Sequence, residues 1–194
     1  RGEVWVDGRN LGEMNLEELY DVRRNVGYVF QFAALFDSLT VGENVGLGLR
    51  RIPGMAEDTI FNRVRECLAL VELEGYEDRF PSQLSGGQKK RAGLARAIAT
   101  KPDYLLYDEP TTGLDPVTTT VIDRLIIRTR QELGVTSLVI THDMESAYRV
   151  ADRIGMLYDG VIRFMGTPEE IQACEDPVVK GFIEGKPELL EGAG

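Results

Sequence analysis

The stretch from Leu84 to Asp115, LSGGQKKRAGLARAIATKPDYLLYDEPTTGLD, decides the fold of this 194-residue chain. A glycine pair opens a basic helix, and a short apolar strand follows between two prolines. Asp108 and Glu109 come directly after that strand, and Asp115 lies in a second turn. Ligands of open α/β sheets bind at the carboxyl ends of the strands, so the stretch predicts an edge suited to phosphate or metal chemistry.

The composition is that of an ordinary globular chain, with 43% hydrophobic and 28% charged residues. No apolar run approaches the roughly 18 residues that a membrane-spanning helix needs. The net charge of -10 argues against nucleic acid as a partner, and half of it, -5, belongs to residues 169–194. Cys67 and Cys174 lack any motif spacing and are typical of reduced thiols in a cytosolic protein.

Alternating strand and helix patterns in the second half predict an α/β core with a largely parallel sheet. Local signals predict several boundaries. Asn15, Thr40 and Thr167 each precede a helix as caps, and Gly134 ends one. Thr40 opens a predicted helix reaching about Arg51. The segments 3–6, 25–30 and 135–140 are predicted strands, and Thr59–Leu73 is a predicted amphipathic helix. Asp7-Gly8 and Asp159-Gly160 predict hairpin turns.

The candidate site residues each have two interpretations. Ser85, Gly86 and Gly87 can bind a phosphate at a helix N-terminus, or Ser85 can be an ordinary cap. Asp108 can hold Mg²⁺ through water while Glu109 orients a nucleophilic water, or both can be solvated acids at a strand end. The plain interpretation is the commoner one for each motif alone.

The same two interpretations hold for three further residues. His142, the only histidine, follows a predicted buried strand and can donate to a phosphate oxygen, although a lone histidine is more often structural. Asp115 can take part in the same site, or it can be an ordinary acidic residue of a turn. Gln31 ends a strand and can reach the same sheet edge, or is merely a polar residue there.

Together these elements resemble the nucleotide-binding subunit of an ATP-binding-cassette (ABC) transporter. LSGGQ at Leu84–Gln88 is similar to the family signature, and YLLYDEP at Tyr104–Pro110 to its Walker B motif. GLDP at Gly113–Pro116 resembles its D-loop, Thr141-His142-Asp143 its H-loop, and Gln31 its Q-loop glutamine. The order and the spacing of the motifs match over most of the chain.

The resemblance implies a role for each of these residues. Asp108 and Gln31 would serve Mg²⁺, Glu109 would be the catalytic base, and His142 would contact the γ-phosphate of ATP. The signature residues Ser85, Gly86, Gly87 and Gln88 would bind ATP held mainly by an opposite subunit, and Asp115 would act across that dimer interface. Phosphoryl transfer needs mostly positioning and charge stabilisation, which such groups supply.

The resemblance also implies the fold and its division. The fold would be a P-loop (RecA-like) core with an inserted α-helical lobe. Residues 1–31 and 101–168 would form the core, 32–100 the lobe with the signature, and 169–194 an acidic helical tail. The implied partners are a membrane permease and a second ATP-binding subunit, most simply a second copy, at the cytoplasmic face of the inner or plasma membrane.

The substrate is predicted less directly. The apolar segment Phe32–Leu39 is expected to receive a permease helix, although the interior of the lobe is an equal interpretation. The stretch FQFAALFDSLTVGENVG, residues 30–46, and the segment Asp176–Gly185 most resemble ATPases of Mla/Mce-type phospholipid or toluene-tolerance systems. The alternatives are an ATPase of a polar-solute, amino-acid-type importer and, more remotely, an SMC-type ATPase. The acidic charge and the short interval from Gln31 to Leu84 disfavour the SMC type.

One family motif is absent from the sequence. The phosphate-cradling loop GxxxxGK[ST] does not occur, because the one Gly-Lys pair, Gly185-Lys186, is followed by Pro187. We therefore expect either a piece of a complete ATPase, with the first part of its core outside this chain, or a non-catalytic module without the loop. Glu109, Gln31 and His142 favour the first alternative. We also expect an exposed apolar gap beside the Walker B strand.

These 194 residues are accordingly expected to bind ATP weakly or not at all, because the backbone cradle for the β- and γ-phosphates is missing. Calorimetric titration of the chain with Mg-ATP measures this. A dissociation constant in the nanomolar to micromolar range would contradict the expectation.

Overall fold

The computed structural model describes residues 2–186 and 188, which form two compact units. The first unit ends at Ile140 and the second begins at Thr141. Pro187 and Glu191, which belong to the expected acidic tail, lie outside the described residues. The division of the chain into four segments at 31, 100 and 168 stays a prediction.

A hairpin of two short strands, β1 (Trp5–Val6) and β2 (Arg9–Asn10), opens the first unit. Its turn residues Asp7 and Gly8 both have positive φ, 50° and 72°, as a type I′ turn requires. Helix α1 (Leu16–Arg24) follows, and Asn15 caps it within a complete capping box. The predicted turn and the predicted cap are both confirmed.

Three parallel strands form the sheet of the first unit. β3 (Val26–Val29), β4 (Tyr104–Asp108) and β5 (Thr136–Ile140) lie side by side in that order. Helix α5 (Pro116–Leu133) connects β4 to β5 and ends at Gly134, which is left-handed with φ 67°. The predicted parallel α/β core is confirmed, and β4 is its central strand.

Helix α4 (Gly86–Ala99) lies directly on this sheet. A Cβ atom on Gly27 of β3 would stand 2.6 Å from the carbonyl oxygen of Ala97 and 2.6 Å from Cδ2 of Leu105. Real atoms do not approach that closely, so only glycine fits at this position. Gly27 thereby allows the C-terminal turn of α4 to lie close to β3.

Helices α2 (Val41–Gly46) and α3 (Glu57–Leu70) complete a helical group with α4. The predicted stripe of α3 is buried, and its members are Ile60, Val64, Cys67, Leu68 and Val71. The helix predicted from Thr40 to Arg51 is shorter: α2 stops at Gly46, and a 3-10 turn covers Leu49–Arg51. Gly46 and Gly48 weaken the helix there. Helix α3 ends early because Glu72 adopts a left-handed φ of 58°.

The prediction that 135–140 is a buried strand is wrong for one face of the sheet. Leu138 and Ile140 are 57% and 56% exposed, whereas Leu105 and Tyr107 on the other face of β4 are buried. The expected gap beside β4 is wrong too. Among the described residues β4 has a partner on each side, and the open edges belong to β3 and β5. The apolar exposure therefore lies on a sheet face and not beside the central strand.

The second unit is built on a hairpin of β6 (Ile154–Tyr158) and β7 (Val161–Gly166). Asp159 and Gly160 form its turn with φ 48° and 76°, as predicted. Helix α6 (Met144–Val150) precedes the hairpin, and α7 (Pro168–Gln172) and α8 (Pro177–Glu184) follow it. Its core consists of Met156, Ile171, Val178 and Val179.

Asn44 orders the loop between β3 and α2. Its side chain is fully buried, and its Oδ1 accepts the Phe36 N–H at 2.8 Å. Its Nδ2 donates to the carbonyl oxygens of Phe36, Leu39 and Thr40 at 2.9–3.1 Å. Buried backbone groups need partners, and one amide side chain supplies them for much of this loop.

We predict that Asn44→Ala lowers the free energy of unfolding by about 2–3 kcal/mol, because each buried polar group left without a partner costs about 1–3 kcal/mol. Urea denaturation followed by circular dichroism measures the change. Asn62→Ala, at an exposed position of α3, is the matched control and should stay within about 0.5 kcal/mol of the parent. Equal effects of the two substitutions would contradict the role given to Asn44.

Candidate functional site

Asp108 and Glu109 lie at the carboxyl end of the central strand. Asp108 is the last residue of β4 and pairs with Ile140 of β5. The Glu109 N–H donates to the Ile140 carbonyl at 2.9 Å, which extends the pairing by one residue. Both side chains are partly exposed. The pair is therefore held by the sheet itself at the edge where α/β proteins bind ligands.

Glu109 has an unusual backbone. Its φ is 47°, in the left-handed region that non-glycine residues rarely adopt. Lys90 of α4 donates from Nζ to the Glu109 carbonyl oxygen at 3.2 Å. Burial lowers the pKa of Lys90, and the charge of Glu109 acts in the opposite direction. Backbone strain of this kind clusters at functional sites, where surrounding contacts maintain it.

Neighbouring hydroxyl groups orient the two carboxylates. Thr112 donates from Oγ1 to Glu109 Oε2 at 2.8 Å. Tyr28 of β3 donates from its hydroxyl to Asp108 Oδ2 at 3.3 Å. Desolvation and, after it, the charge of Asp108 raise the pKa of Tyr28, so the phenol stays protonated as the donor. The two acids thus point to different partners, as expected for two different tasks.

Ser85 and Gln88 form a reciprocal capping box at the start of α4. The Ser85 Oγ accepts the Gln88 N–H at 3.3 Å, and the Ser85 N–H donates to Gln88 Oε1 at 2.9 Å. Gln88 Nε2 also donates to the Tyr76 hydroxyl at 3.1 Å. The structure thus contains the ordinary cap that the sequence allowed. This cap also fixes an exposed helix N-terminus, at Ser85 and Gly86, of the kind that attracts anions.

Gly87 has a packing role that the sequence did not reveal. A Cβ atom there would stand 2.5 Å from Cγ2 of Thr118, whereas one on Gly86 would meet nothing closer than Leu114 at 3.9 Å. Glycine at position 87 therefore lets α4 and α5 approach closely, because any larger residue would displace the Thr118 side chain. The space beside Gly86 is open, so Gly86 is the member of the pair that leaves room for a ligand.

Asp115 caps helix α5. Its Oδ1 accepts the N–H groups of Val117 and Thr118 at 3.0 Å each, and its Oδ2 accepts the Thr118 hydroxyl at 2.5 Å. The bonds from Thr118 lower the pKa of Asp115. Thr118 therefore contacts both Gly87 and Asp115, and it brings the signature turn and the GLDP turn together.

Gln31 follows β3 in a tight turn. The Ala33 N–H donates to the Phe30 carbonyl at 2.9 Å, so Gln31 and Phe32 are the central residues of that turn. Gln31 is partly exposed, and Phe32 is 84% exposed. Since β3 and β4 are adjacent parallel strands, Gln31 emerges at the same edge of the sheet as Asp108.

His142 belongs to the second unit. It is exposed, and it lies between Thr141 and Asp143 at the start of α6. Asp143 caps that helix by accepting the Ser146 N–H at 3.2 Å, and its own N–H donates to Thr141 Oγ1 at 3.0 Å. The side chains on both sides of His142 thus order the turn that carries it.

The first unit therefore assembles Gln31, Asp108 and Glu109 on one sheet edge and links Ser85–Gln88 with Asp115 through α4 and α5. Sequence reasoning missed the residues that hold this arrangement. They are Tyr28, Lys90, Thr112 and Thr118. The one sequence signal for them was the basic run Lys89-Lys90-Arg91 after the signature. That run does not show which cation binds which backbone carbonyl.

A parallel sheet with an acidic pair at its central strand end and a capped Ser-Gly-Gly helix beside it defines the ABC-type ATPase fold. The chain belongs to the ABC transporter family, whose model, described as "ABC transporter", matches residues 1–112. No helix among residues 2–186 combines the length and the apolar character needed to cross a membrane.

Three curated relatives show how widely the similarity extends. The chain is 39% identical over 186 residues to the "Probable ribonucleotide transport ATP-binding protein mkl" of Mycobacterium tuberculosis, covering 96% of this chain and 52% of that protein. It is 42% identical over 185 residues to the "Glycine betaine/carnitine transport ATP-binding protein GbuA" of Listeria monocytogenes, with 94% and 46% covered. The chain thus spans about half the length of these two relatives.

The third relative is covered more fully. The chain is 39% identical over 184 residues to the "Intermembrane phospholipid transport system ATP-binding protein MlaF" of Escherichia coli, covering 95% of this chain and 68% of that protein. Relatives with different named substrates are thus about equally similar, so the comparisons identify the family and not the transported molecule.

Two solved structures have the same fold. One is the ATP-binding cassette MJ0796, described as a dimer in a post-hydrolysis state bound to ADP and Pi, with a TM-score of 0.76, 36% identity, and 87% of this chain and 74% of that chain covered. The other is cbiO1 of Clostridium perfringens, part of the ABC transporter complex cbiONQ, with a TM-score of 0.81, 29% identity, and 92% and 71% covered.

Proposed function

We propose that this chain is part of the ATP-hydrolysing subunit of an ABC transporter that moves lipid or other hydrophobic compounds through a membrane permease, and that hydrolysis is a property of the complete protein. The observation that carries the ATPase proposal is the acidic pair on β4. Asp108 ends the strand, and Glu109 follows it in a left-handed conformation with its carbonyl bound by Lys90. Membership of the family suggests ATP hydrolysis as the reaction, and the acidic pair provides groups suited to it.

Asp108 and Gln31 are the proposed groups for Mg²⁺. The ion prefers oxygen ligands and is usually held by one or two carboxylates together with substrate phosphates. A carboxylate has about four lone-pair positions, so the bond from Tyr28 is compatible with a metal on Asp108. When bound, Mg²⁺ would neutralise charge that develops on the phosphates.

Glu109 is the proposed general base, and Gln31 is proposed to help orient the attacking water. The bond from Thr112 and the fixed backbone hold the Glu109 carboxylate in one place, and a base must be positioned before it can act. His142 is proposed to donate to the γ-phosphate.

Ser85, Gly86, Gly87 and Gln88 are proposed to face the ATP of a second subunit, with Asp115 at that interface. The dimeric cassette MJ0796, which resembles this chain, supports the proposal. The exposed N-terminus of α4 and the open space beside Gly86 suit an anion brought by another molecule. A homodimer is the simplest form of such an assembly.

A membrane permease is the proposed partner, which would place the chain peripherally at the cytoplasmic face of the inner or plasma membrane. The similarity to cbiO1, part of the transporter complex cbiONQ, supports this. On the chain itself, Phe32 and Phe36 are 84% and 54% exposed in the loop ordered by Asn44. Exposed aromatic residues on an ordered loop are typical of a protein interface.

The first experiment tests the catalytic base. We predict that Glu109→Gln, in the full-length protein assembled with its permease, lowers ATP turnover by about 10²- to 10⁴-fold, the usual contribution of a general base. The neutral amide keeps the size of the side chain but cannot accept a proton. Phosphate release is the measurement.

Glu132→Gln is the control, because Glu132 lies on α5 in an exposed ion pair with Arg128. It should leave turnover unchanged. Turnover near the parent value in Glu109→Gln would refute the assignment of the base. Absence of turnover in the parent complex would favour the alternative of a non-catalytic module.

The second experiment tests the substrate class. The resemblance to MlaF supports a lipid, whereas the 42% identity to GbuA favours a polar solute as the second candidate. We predict that, in reconstituted complexes, added phospholipid changes the rate of ATP hydrolysis and glycine betaine or an amino acid does not. The reverse result would establish the polar-solute alternative.

A further inference from the structure

The turn that carries Gln31 continues into two successive left-handed residues. Ala33 has φ 60° and Ala34 has φ 48°. The Ala34 N–H donates to the Phe32 carbonyl at 2.7 Å, two residues back, which is the hydrogen bond of a γ-turn centred on Ala33. Glycine adopts such angles readily, but alanine does not. Contacts from elsewhere must therefore maintain this conformation.

Helix α4 lies against this turn. Ala33 is 1% exposed, and a Cβ atom on Gly93 would be 3.2 Å from the Ala33 Cβ and 3.3 Å from its Cα and its carbonyl oxygen. The absence of a side chain at Gly93 allows the backbone of the turn to reach the helix. This brings the two left-handed carbonyl groups within reach of the next turn of α4.

Arg96 binds both of those carbonyl groups. One terminal nitrogen donates to the Ala34 oxygen at 2.5 Å, and the other donates to the Ala33 oxygen at 2.7 Å. The guanidinium carbon also lies 6.0 Å from the centre of the Phe30 ring. Burial lowers the pKa of Arg96, but an arginine stays charged at physiological pH. Charge-assisted bonds of this kind are the strong ones.

We propose that Arg96 is a positioning residue for Gln31: its planar fork holds the carbonyl groups of Ala33 and Ala34 and so keeps the strained turn in the conformation that presents Gln31 at the sheet edge. The proposal rests on the role given to Gln31 in the proposed function. It connects helix α4, which Ser85 caps, with the Gln31 turn through one side chain.

The structural part of the proposal is tested without nucleotide. Hydrogen exchange of the chain, read by mass spectrometry over residues 30–36, reports the Ala33 and Ala34 amides. We expect Arg96→Gln to speed their exchange by about tenfold or more, because charge-assisted bonds that maintain a strained turn are lost.

Two further variants sharpen this test. Arg96→Lys keeps the charge but not the fork, so it should give an intermediate rate even if Arg96→Gln folds poorly. Arg91→Gln is the matched control, since Arg91 also lies on α4 and donates to the carbonyls of Val71 and of the left-handed Glu72. It should leave residues 30–36 unchanged.

A second-site change distinguishes positioning from general destabilisation. Adding Ala34→Gly to Arg96→Gln removes the steric cost of the left-handed conformation, so protection of the turn should return, after correction for the intrinsic exchange rate of glycine. If exchange in Arg96→Gln matches the parent, or if Ala34→Gly leaves the loss unchanged, the clamp is refuted.

The functional part uses the full-length protein assembled with its permease. Arg96→Gln should lower kcat with KM nearly unchanged, and the double variant with Gln31→Ala should lose no more than Gln31→Ala alone, because both changes remove the same positioned group. Additive losses would show that Arg96 acts apart from Gln31 and would overturn the proposal. If the parent complex hydrolyses no ATP, the proposed function fails, while the exchange experiment still decides whether the clamp exists.

Discussion

Hydrogen bonds from the cations of helix α4 to backbone carbonyls hold the first unit in shape. Among the described residues, seven that are not glycine have positive φ. Four of them have a carbonyl bound by an α4 cation: Glu109 by Lys90, Glu72 by Arg91, and Ala33 and Ala34 by Arg96. A non-glycine residue in this conformation costs about 1–3 kcal/mol and persists only where its surroundings hold it. Helix α4 provides those surroundings for the acidic turn and for the Gln31 turn at once.

A similar bond secures the far end of the helix. Arg63 of α3 donates from Nε to the Ala99 carbonyl at 3.0 Å and from a terminal nitrogen to the Ile98 carbonyl at 2.8 Å, so it binds two carbonyls in the last turn of α4. The helix is therefore fixed at its start by Ser85, along its length by its own cations, and at its end by Arg63. A change in the position of α4 would therefore strain or break its hydrogen bonds to every loop that it binds.

What the sequence predicted was local. The caps at Asn15, Thr40 and Thr167 depend on residues three apart, so short patterns identify them. The cation-to-carbonyl bonds join residues 19 to 63 positions apart, and no periodicity encodes which pairs meet. The exposure of Leu138 was missed because an apolar run shows that a strand exists, but not how many of its faces are covered. The motif residues of the site were predicted from the resemblance, whereas the packing role of Gly87 is seen only in the folded structure.

Gly27 has no reactive side chain, yet it constrains the site because it permits the close packing of α4 on the sheet. Any side chain there would meet the Ala97 carbonyl oxygen and Cδ2 of Leu105 at 2.6 Å, and the backbone carbonyl leaves little room to yield. The helix would be pushed off the sheet, and Lys90 and Arg96 would move away from their carbonyls together. The close packing of α4 on the sheet therefore limits which substitutions this protein tolerates, as the reactive groups do. A change at position 27 would mimic damage to two distant motifs without altering either.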